Sequence, residues 1–342
     1  MFKSLLLYCL LIIAFASRLW GQSEAEPELF ASEDILPITI HTDLKTLFRD
    51  DGEERDYHQA RFVVQPSGQD SQAIAVRVML RGNFRRENCQ LPPLKLNFKN
   101  EDVANTYMDH IDKIKLVLPC RWRSDDYEQL VLKEYLMYRL FSVMTDSSFQ
   151  VRLLQVTFRD SADKMDPFTK YGFFIEPVDN VEARLEAWED ETEGIHPNAT
   201  VQTQTNLISV FHYMVGNVDW SIPGLHNVKL IKTDTFTFPL VIPYDFDYCG
   251  AVDAPYARGN PVAGNATVRE RVYRGYCRPE QEMEKTFARF QRKKAAIYAV
   301  VQEFELLEEK EKKKLIRYLD EFYEVLDDER RRQYVFMETC RG

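Results

Sequence analysis

The densest run of oxygen-bearing side chains lies between Gly216 and Gly250, in GNVDWSIPGLHNVKLIKTDTFTFPLVIPYDFDYCG. Asp219 comes first, then His226-Asn227, then two apolar runs joined by a polar turn, then Asp245-Phe246-Asp247. Carboxylates and side-chain amides are hard oxygen donors, the class magnesium takes together with water and phosphate. Phosphoryl transfer asks little else of a protein: a carboxylate that orients the attacking hydroxyl, and oxygens that hold divalent ions on the phosphates. An Asp and an Asn near the start of one strand, with an Asp at the end of the next, would bring such oxygens to one point. Each motif alone reads as an Asx turn at a helix exit or an exposed strand end. Their joint occurrence at this spacing points to a site.

Glu134 supplies a second, independent signal. Its neighbours three and four residues away, Leu130, Val131, Met137 and Tyr138, make an apolar helix face. A carboxylate on such a face is costly unless it is paired. Kinases use a helix Glu to hold a strand Lys on the phosphates. Lys95, in an earlier strand, is the expected partner, with Arg81 as second choice and a structural ion pair or an exposed face as the alternatives. Arg258, Arg269, Arg271, Arg274 and Arg278 cluster after Asp247. Guanidinium forks suit phosphates, but pairing with the chain's own carboxylates is the favoured expectation here.

The set Asn217-x-Asp219, His226-Asn227 and Pro243-Tyr244-Asp245-Phe246-Asp247 resembles the core of the CotH (spore-coat protein H-like) family of atypical kinases. Leu80-Arg81-Gly82-Asn83 with Lys95 resembles that family's R-G segment and downstream lysine, and Lys170-Tyr171-Gly172-Phe173-Phe174-Ile175-Glu176 its G-to-E strand. The resemblance implies an exported bacterial member with an atypical kinase fold that uses ATP and Mg2+ (or Mn2+). It implies Asp219 as the catalytic carboxylate, Asn227, Asp245 and Asp247 as metal ligands, and Arg81, Lys95, Glu134 and Glu176 around the nucleotide. Seven residues separate Asp219 from Asn227, against four in the ordinary kinase catalytic loop. No G-x-G-x-x-G loop occurs, so a phosphate cradle would be built otherwise. A catalytically inactive kinase fold serving as a surface or envelope binding module is the alternative, and a metal-dependent phosphate-ester hydrolase a third.

The elements that must position these residues follow from periodicity. Ile74, Val76, Val78 and Leu80 alternate with Ala73, Ala75, Arg77 and Met79, and Leu94/Leu96/Phe98 and Ile114/Leu116/Leu118 repeat the pattern. Period two predicts strands across about 36–118. A helix is expected over 127–143, strands at about 149–158 and 171–176, an irregular polar stretch over 178–203, and a helix over 204–216. Strands at about 227–232 and 238–243 precede a Pro-, Gly- and Arg-rich loop over 249–280. Leu315, Leu319, Phe322, Val325 and Leu326 form one stripe of a C-terminal helix. The order is α+β and matches a two-lobed, protein-kinase-like plan: a mainly β N-terminal lobe with one helix, then a mainly α C-terminal lobe. Residues Ile175-Glu176-Pro177-Val178 fall where a kinase chain crosses between lobes and offers backbone groups to adenine. The expected divisions are a signal peptide 1–21, an acidic leader 22–35, a β-rich part 36–177 and a helical part 178–342 with the catalytic segment 216–250.

Lys3, the apolar run Leu5–Ala16 and the small residues to Gly21 describe a secretory signal. Cleavage is expected after Gly21, with Ala25 as the alternative. The run is shorter than the roughly 20 residues that span a bilayer, and no transmembrane segment is expected in the mature chain. Removing Lys3 and Arg18 leaves 42 basic against 54 acidic residues, which disfavours nucleic acid as a partner. The expected setting is extracytoplasmic (periplasmic, cell-surface or secreted), where disulfides persist. The expected partners are a nucleotide, a protein substrate and envelope or surface proteins. Cys89 with Cys120 and Cys277 with Cys340 are the expected pairs, leaving Cys249 free. Asn198 and Asn265 head glycosylation sequons.

Overall fold

The computed structural model describes residues 28–50, 52, 55–82 and 84–342. The expected signal peptide, residues 22–27 of the acidic leader, and Asn83 lie outside the described residues. Among the described residues, no helix is long and apolar enough to cross a membrane.

Alternating strands bury one face by closing on themselves. β1 (Leu36–Thr42), β2 (His58–Val64), β3 (Gln72–Leu80), β4 (Leu94–Asn97), β5 (Lys113–Val117), β6 (Val151–Asp160) and β7 (Phe168–Ile175) form a closed barrel in the order β1-β2-β3-β4-β5-β7-β6. The seam is parallel, running from Leu36 beside Leu154 to Thr42 beside Asp160. Asp160 accepts from Leu44 N (3.0 Å) at that seam, so a buried carboxylate there is satisfied by backbone. Inside lie Phe62, Val76, Leu96, Leu116, Val156 and Phe174, among others. Closure was not legible from alternation, which is the same in an open sheet and a barrel.

The outer face of β5 and β7 carries Val117, Phe173 and Ile175, which belong to a second core. That core is organised around the helix predicted over 127–143. The short helix α1 (Phe84–Asn88) follows β3, and the long helix α2 (Asp125–Met144) follows β5. α2 is buried on nearly every side, as its sequence suggested. The stretch 178–203 departs from expectation. It holds a helix, α3 (Val178–Leu185), and the two-residue strand β8 (Trp188–Glu189). Pro177 at the N-cap presets the first turn of α3, and Glu186 ends it in the left-handed region. β8 then joins β9 (Val228–Lys232) and β10 (Leu240–Pro243) in a three-stranded sheet. The helices α4 (Gln202–Val215), α5 (Glu280–Gln302) and α6 (Glu309–Asp327) complete the second core. A buried pair, Lys133 Nζ to Glu311 Oε2 at 3.2 Å, ties α2 to α6.

Both expected disulfides form, and Cys249 is free and buried. Cys89–Cys120 fastens the end of α1 to the chain leaving β5. Asn265 is buried, so its sequon is closed in the folded chain, whereas Asn198 is exposed.

Gly216 caps α4 at φ 67° and passes the chain to Asp219. Gly250 N donates to Gly216 O (3.0 Å), joining this turn to the loop after Asp247. A Cβ at Gly216 would collide with the Tyr318 hydroxyl, and its backbone disfavours any L side chain. Gly216→Ala is expected to lower stability by roughly 1–3 kcal/mol in denaturant unfolding, through backbone strain and overpacking.

Candidate active site

Asp219, His226 and Asn227 form one constellation. The long spacing is absorbed by a small hairpin: Ser221 and His226 exchange two backbone hydrogen bonds, each 2.9 Å. Asn227 therefore returns to Asp219, donating from Nδ2 to its carbonyl (2.8 Å) and to Oδ2 (3.1 Å). His226 Nε2 lies 2.9 Å from Asp219 Oδ1. Asn227 sits at φ 53°, a region Asn tolerates. Its side-chain oxygen has no protein donor among the described residues.

Asp245 and Asp247 form the second constellation, joined to the first by the β9–β10 ladder. Tyr244 N donates to Asn227 O (3.0 Å), so Asp245 follows directly beyond the paired strands. Asp245, at φ 63°, donates its N–H to the Tyr138 hydroxyl on α2 (2.8 Å). Asp247 is buried, with the Tyr256 hydroxyl donating to Oδ2 (3.2 Å) and Arg85 Nη1 3.9 Å from the same oxygen.

The partner of Glu134 corrects the sequence expectation. It is Arg85, Nη1 to Oε2 at 3.4 Å, and neither Lys95 nor Arg81. Arg85 is aimed inward because α1 is short, is stapled at Cys89, and lets Nη2 donate to Leu118 O. Lys95 is kept away by register. It lies on the barrel's outer face in the row Met79, Lys95, Lys115, Ile175.

One buried guanidinium thus stands between two buried carboxylates, with Asp245 close by. The charges do not balance. Burial, then the negative charge of Asp245, pushes Asp247 up to about 7. Burial, then Asp247, raises Glu134 well above the usual carboxylate range. Burial opposes the charge on Arg85, but Tyr256 and the surrounding carboxylates outweigh it and raise its affinity for its proton. The aromatic rings of Phe84, Tyr248 and Tyr256 stand 5.8–5.9 Å apart beside this cluster.

A cavity of about 330 Å³ opens beside the site, lined by Lys95, Lys115, Ile175, Glu176, Pro177 and Asn180 among others. Lys115 Nζ lies 4.9 Å from the Tyr244 ring centre. Burial, then the charge of Arg81, lowers Lys115 to about 8. Among the described residues, neither Lys95 nor Lys115 has a carboxylate within ion-pair distance. Glu176 lines the cavity, but its carboxylate is held by Arg184 (3.0 and 2.9 Å) and by Gln150 N (2.8 Å). The arginines after Asp247 mostly brace their own loop. Arg269 pairs with Asp253 (3.0 Å), Arg271 with Glu321 (2.8 Å), Arg274 donates to Val218 O, and Arg278 to Asn206 Oδ1 (3.2 Å). Arg258 is exposed.

The residues at hand can be tested against a divalent ion. Among the described residues, no group of three or more His, Cys, Asp or Glu is placed to hold a metal. The available donors are the Asn227 amide oxygen and the carboxylates of Asp245 and Asp247. Hard oxygens of this kind, few in number, fit Mg2+ or Mn2+ shared with phosphates and water. The raised Asp247 fits too, since a cation there would offset the excess negative charge.

Sequence reasoning missed Arg85, Lys115, Tyr138 and Tyr256. Lys115 was findable: the buried set Ile114, Leu116, Leu118 puts it on the opposite face, in the strand directly before α2. Arg85 carried no such signal, lying in a five-residue helix with no period to read.

No family profile matches the chain, and no curated protein matches it. Among solved structures, two crystal structures of a Golgi casein kinase, one with Mn/ADP bound, are each 9% identical, with a TM-score of 0.35. Each match covers 94% of this chain and 81% of that chain. At that identity and TM-score the overlap bears on neither family nor activity.

Two outcomes follow from the buried charges. Arg85→Met, which strands Glu134 and Asp247 without a cation, should cost about 3–5 kcal/mol in denaturant unfolding. Asp247 has a folded pKa above its ordinary 3.8, so the folded state holds that proton more tightly than the unfolded chain does. Its contribution is fully present below about pH 4 and is lost as pH rises through about 7. In EDTA, unfolding free energy should therefore fall across that window, by at most roughly 1.4 kcal/mol per pH unit for this group, and Asp247→Asn should flatten the fall.

Proposed function

We propose that this chain is an atypical kinase of CotH type, moving a phosphoryl group from ATP to a protein hydroxyl in an extracytoplasmic setting. The observation that carries the reading is the meeting of two constellations at one end of the β9–β10 pair: Asp219 with Asn227 where β9 begins, Asp245 and Asp247 where β10 ends. The unpaired lysines of the adjoining cavity support it, as do two disulfides, which suit an oxidising compartment.

In this reading Asp219 is the catalytic carboxylate. It orients the acceptor hydroxyl and takes its proton, while Asn227 and His226 hold the carboxylate in place. Asn227, Asp245 and Asp247 would hold magnesium or manganese. Such an ion, when bound, neutralises charge developing on the phosphoryl oxygens. Lys115 and Lys95 face the phosphates from the barrel wall, with Arg81 contributing charge nearby. Glu134 positions Arg85, and Arg85 in turn holds Asp247. Tyr138 fixes the backbone at Asp245. No Gly-rich loop is required if the strand lysines form the cradle.

A second reading is favoured by one specific feature. Both Asp219 oxygens already have partners, His226 and Asn227, and Tyr256 already occupies Asp247. A chain locked in that state would bind without transferring, as a pseudokinase module.

Incubating the mature chain with ATP and Mn2+ or Mg2+, followed by intact-mass and peptide mass spectrometry, tests the proposal. Phosphate should appear on the chain or on an added protein. Asp219→Asn should lower the rate by about 10²–10⁴-fold, the usual scale for losing an acid–base group, while sparing nucleotide binding. Nucleotide binding with no transfer under any condition supports the second reading, and no binding at all ends both.

A further inference from the structure

The crossover between barrel and helical part cannot read a base with its own backbone in the usual manner. Glu176 N is committed to Gln150 O (2.9 Å), and Pro177 has no N–H. The Pro177 carbonyl is also taken, accepting from Asn180 N and Val181 N (3.1 Å each). Another group in the same cavity is unspent. Asn180 lies one turn into α3, its side chain lines the cavity, and the residue is only 9% exposed. Its side-chain amide makes no hydrogen bond among the described residues.

The residue is largely buried, but its amide N and O are not closed off from solvent, so a ligand entering the cavity can meet them. The neighbours do not satisfy it. Glu176 is held by Arg184, Glu189 accepts from Lys229 (2.5 Å), and Asp112 pairs with Lys113 (2.9 Å). The cavity volume, about 330 Å³, lies at the lower end of the range for small-molecule sites. Ile175 and Val178 give the cavity an apolar part, and Lys95 and Lys115 stand on the barrel strands beside it. The floor is thus suited to a flat ring, and the lysines to an anionic tail.

We propose that Asn180 is the base-reading residue of this site, and that it selects adenine by pairing its amide oxygen and N–H2 with the exocyclic amino group and a neighbouring ring nitrogen. An amide presents a donor and an acceptor side by side, which complements that edge of adenine. This rests on the nucleotide reading above and adds to it which side chain confers the base preference.

The test compares ATP with purine riboside triphosphate, which lacks the exocyclic amino group, by equilibrium binding with Mn2+ present. The wild-type chain should prefer ATP by roughly 5- to 10-fold, the scale of one lost hydrogen bond with a buried partner left unmet. Asn180→Leu should bind both triphosphates alike. Asn180→Asp, near-isosteric and favoured at a helix N-terminus, guards against a folding defect. It keeps the acceptor but loses the donor, so it should bind ATP several-fold more weakly than wild type while retaining the wild-type melting temperature. An unchanged preference for ATP in both variants overturns the assignment and leaves the kinase reading standing. Failure of the wild-type chain to bind either triphosphate overturns both.

Discussion

The structure turns on one guanidinium. Arg85 is buried between Glu134 of the central helix and Asp247 beyond the last strand of the small sheet. Among the described residues, it is the buried cation that faces Glu134 and Asp247 together. Its position is set by covalent and backbone restraints, the Cys89–Cys120 bridge and the Leu118 carbonyl. A buried ion pair of this sort contributes little net stability. It links the elements that carry Glu134 and Asp247, because removing the guanidinium would leave both buried carboxylates without a cation.

That compensation is incomplete, and the shortfall has a direction. Two buried carboxylates and a third nearby face one guanidinium, so protons are drawn in or a further cation is needed. In the proposed reading, the oxygen donors and the unpaired lysines of the adjoining cavity would let phosphates and a divalent ion restore balance together. Asn227 and Asp245 are two of the eight non-glycine residues at positive φ among the described residues, a region that Asn and Asp tolerate better than most.

Much of the scaffold could be read before any coordinates. Alternation in Ile74–Leu80 and Leu94–Phe98 marks strands because a pleated sheet with one buried face forces period two. Glu134 stood out because its apolar neighbours would make an unpaired carboxylate costly there. Cys89–Cys120 was expected from neighbouring strand ends and Cys277–Cys340 from a C-terminal residue able to staple the last helix to its loop, and both form. What could not be read were contacts that depend on closure and register. Lys95 looked like the partner of Glu134, yet Arg85, from the five-residue helix α1 held by the Cys89–Cys120 bridge, reaches that carboxylate instead. The polar stretch after Val178 hid a helix because eight residues give too little period to register, and Asn180 was hidden with it. The seven residues between Asp219 and Asn227 are taken up by the Ser221–His226 hairpin, which returns Asn227 to Asp219, a contact that spacing alone did not reveal.

The most direct measurement is an anomalous-difference map from crystals grown with Mn2+ and a non-hydrolysable ATP analogue. The account predicts a manganese peak within coordination distance, about 2.0–2.3 Å, of oxygens from Asp245 or Asp247, with the triphosphate running toward Lys115. Saturating nucleotide and metal with no peak at these carboxylates, or with the analogue bound on another face, would contradict it.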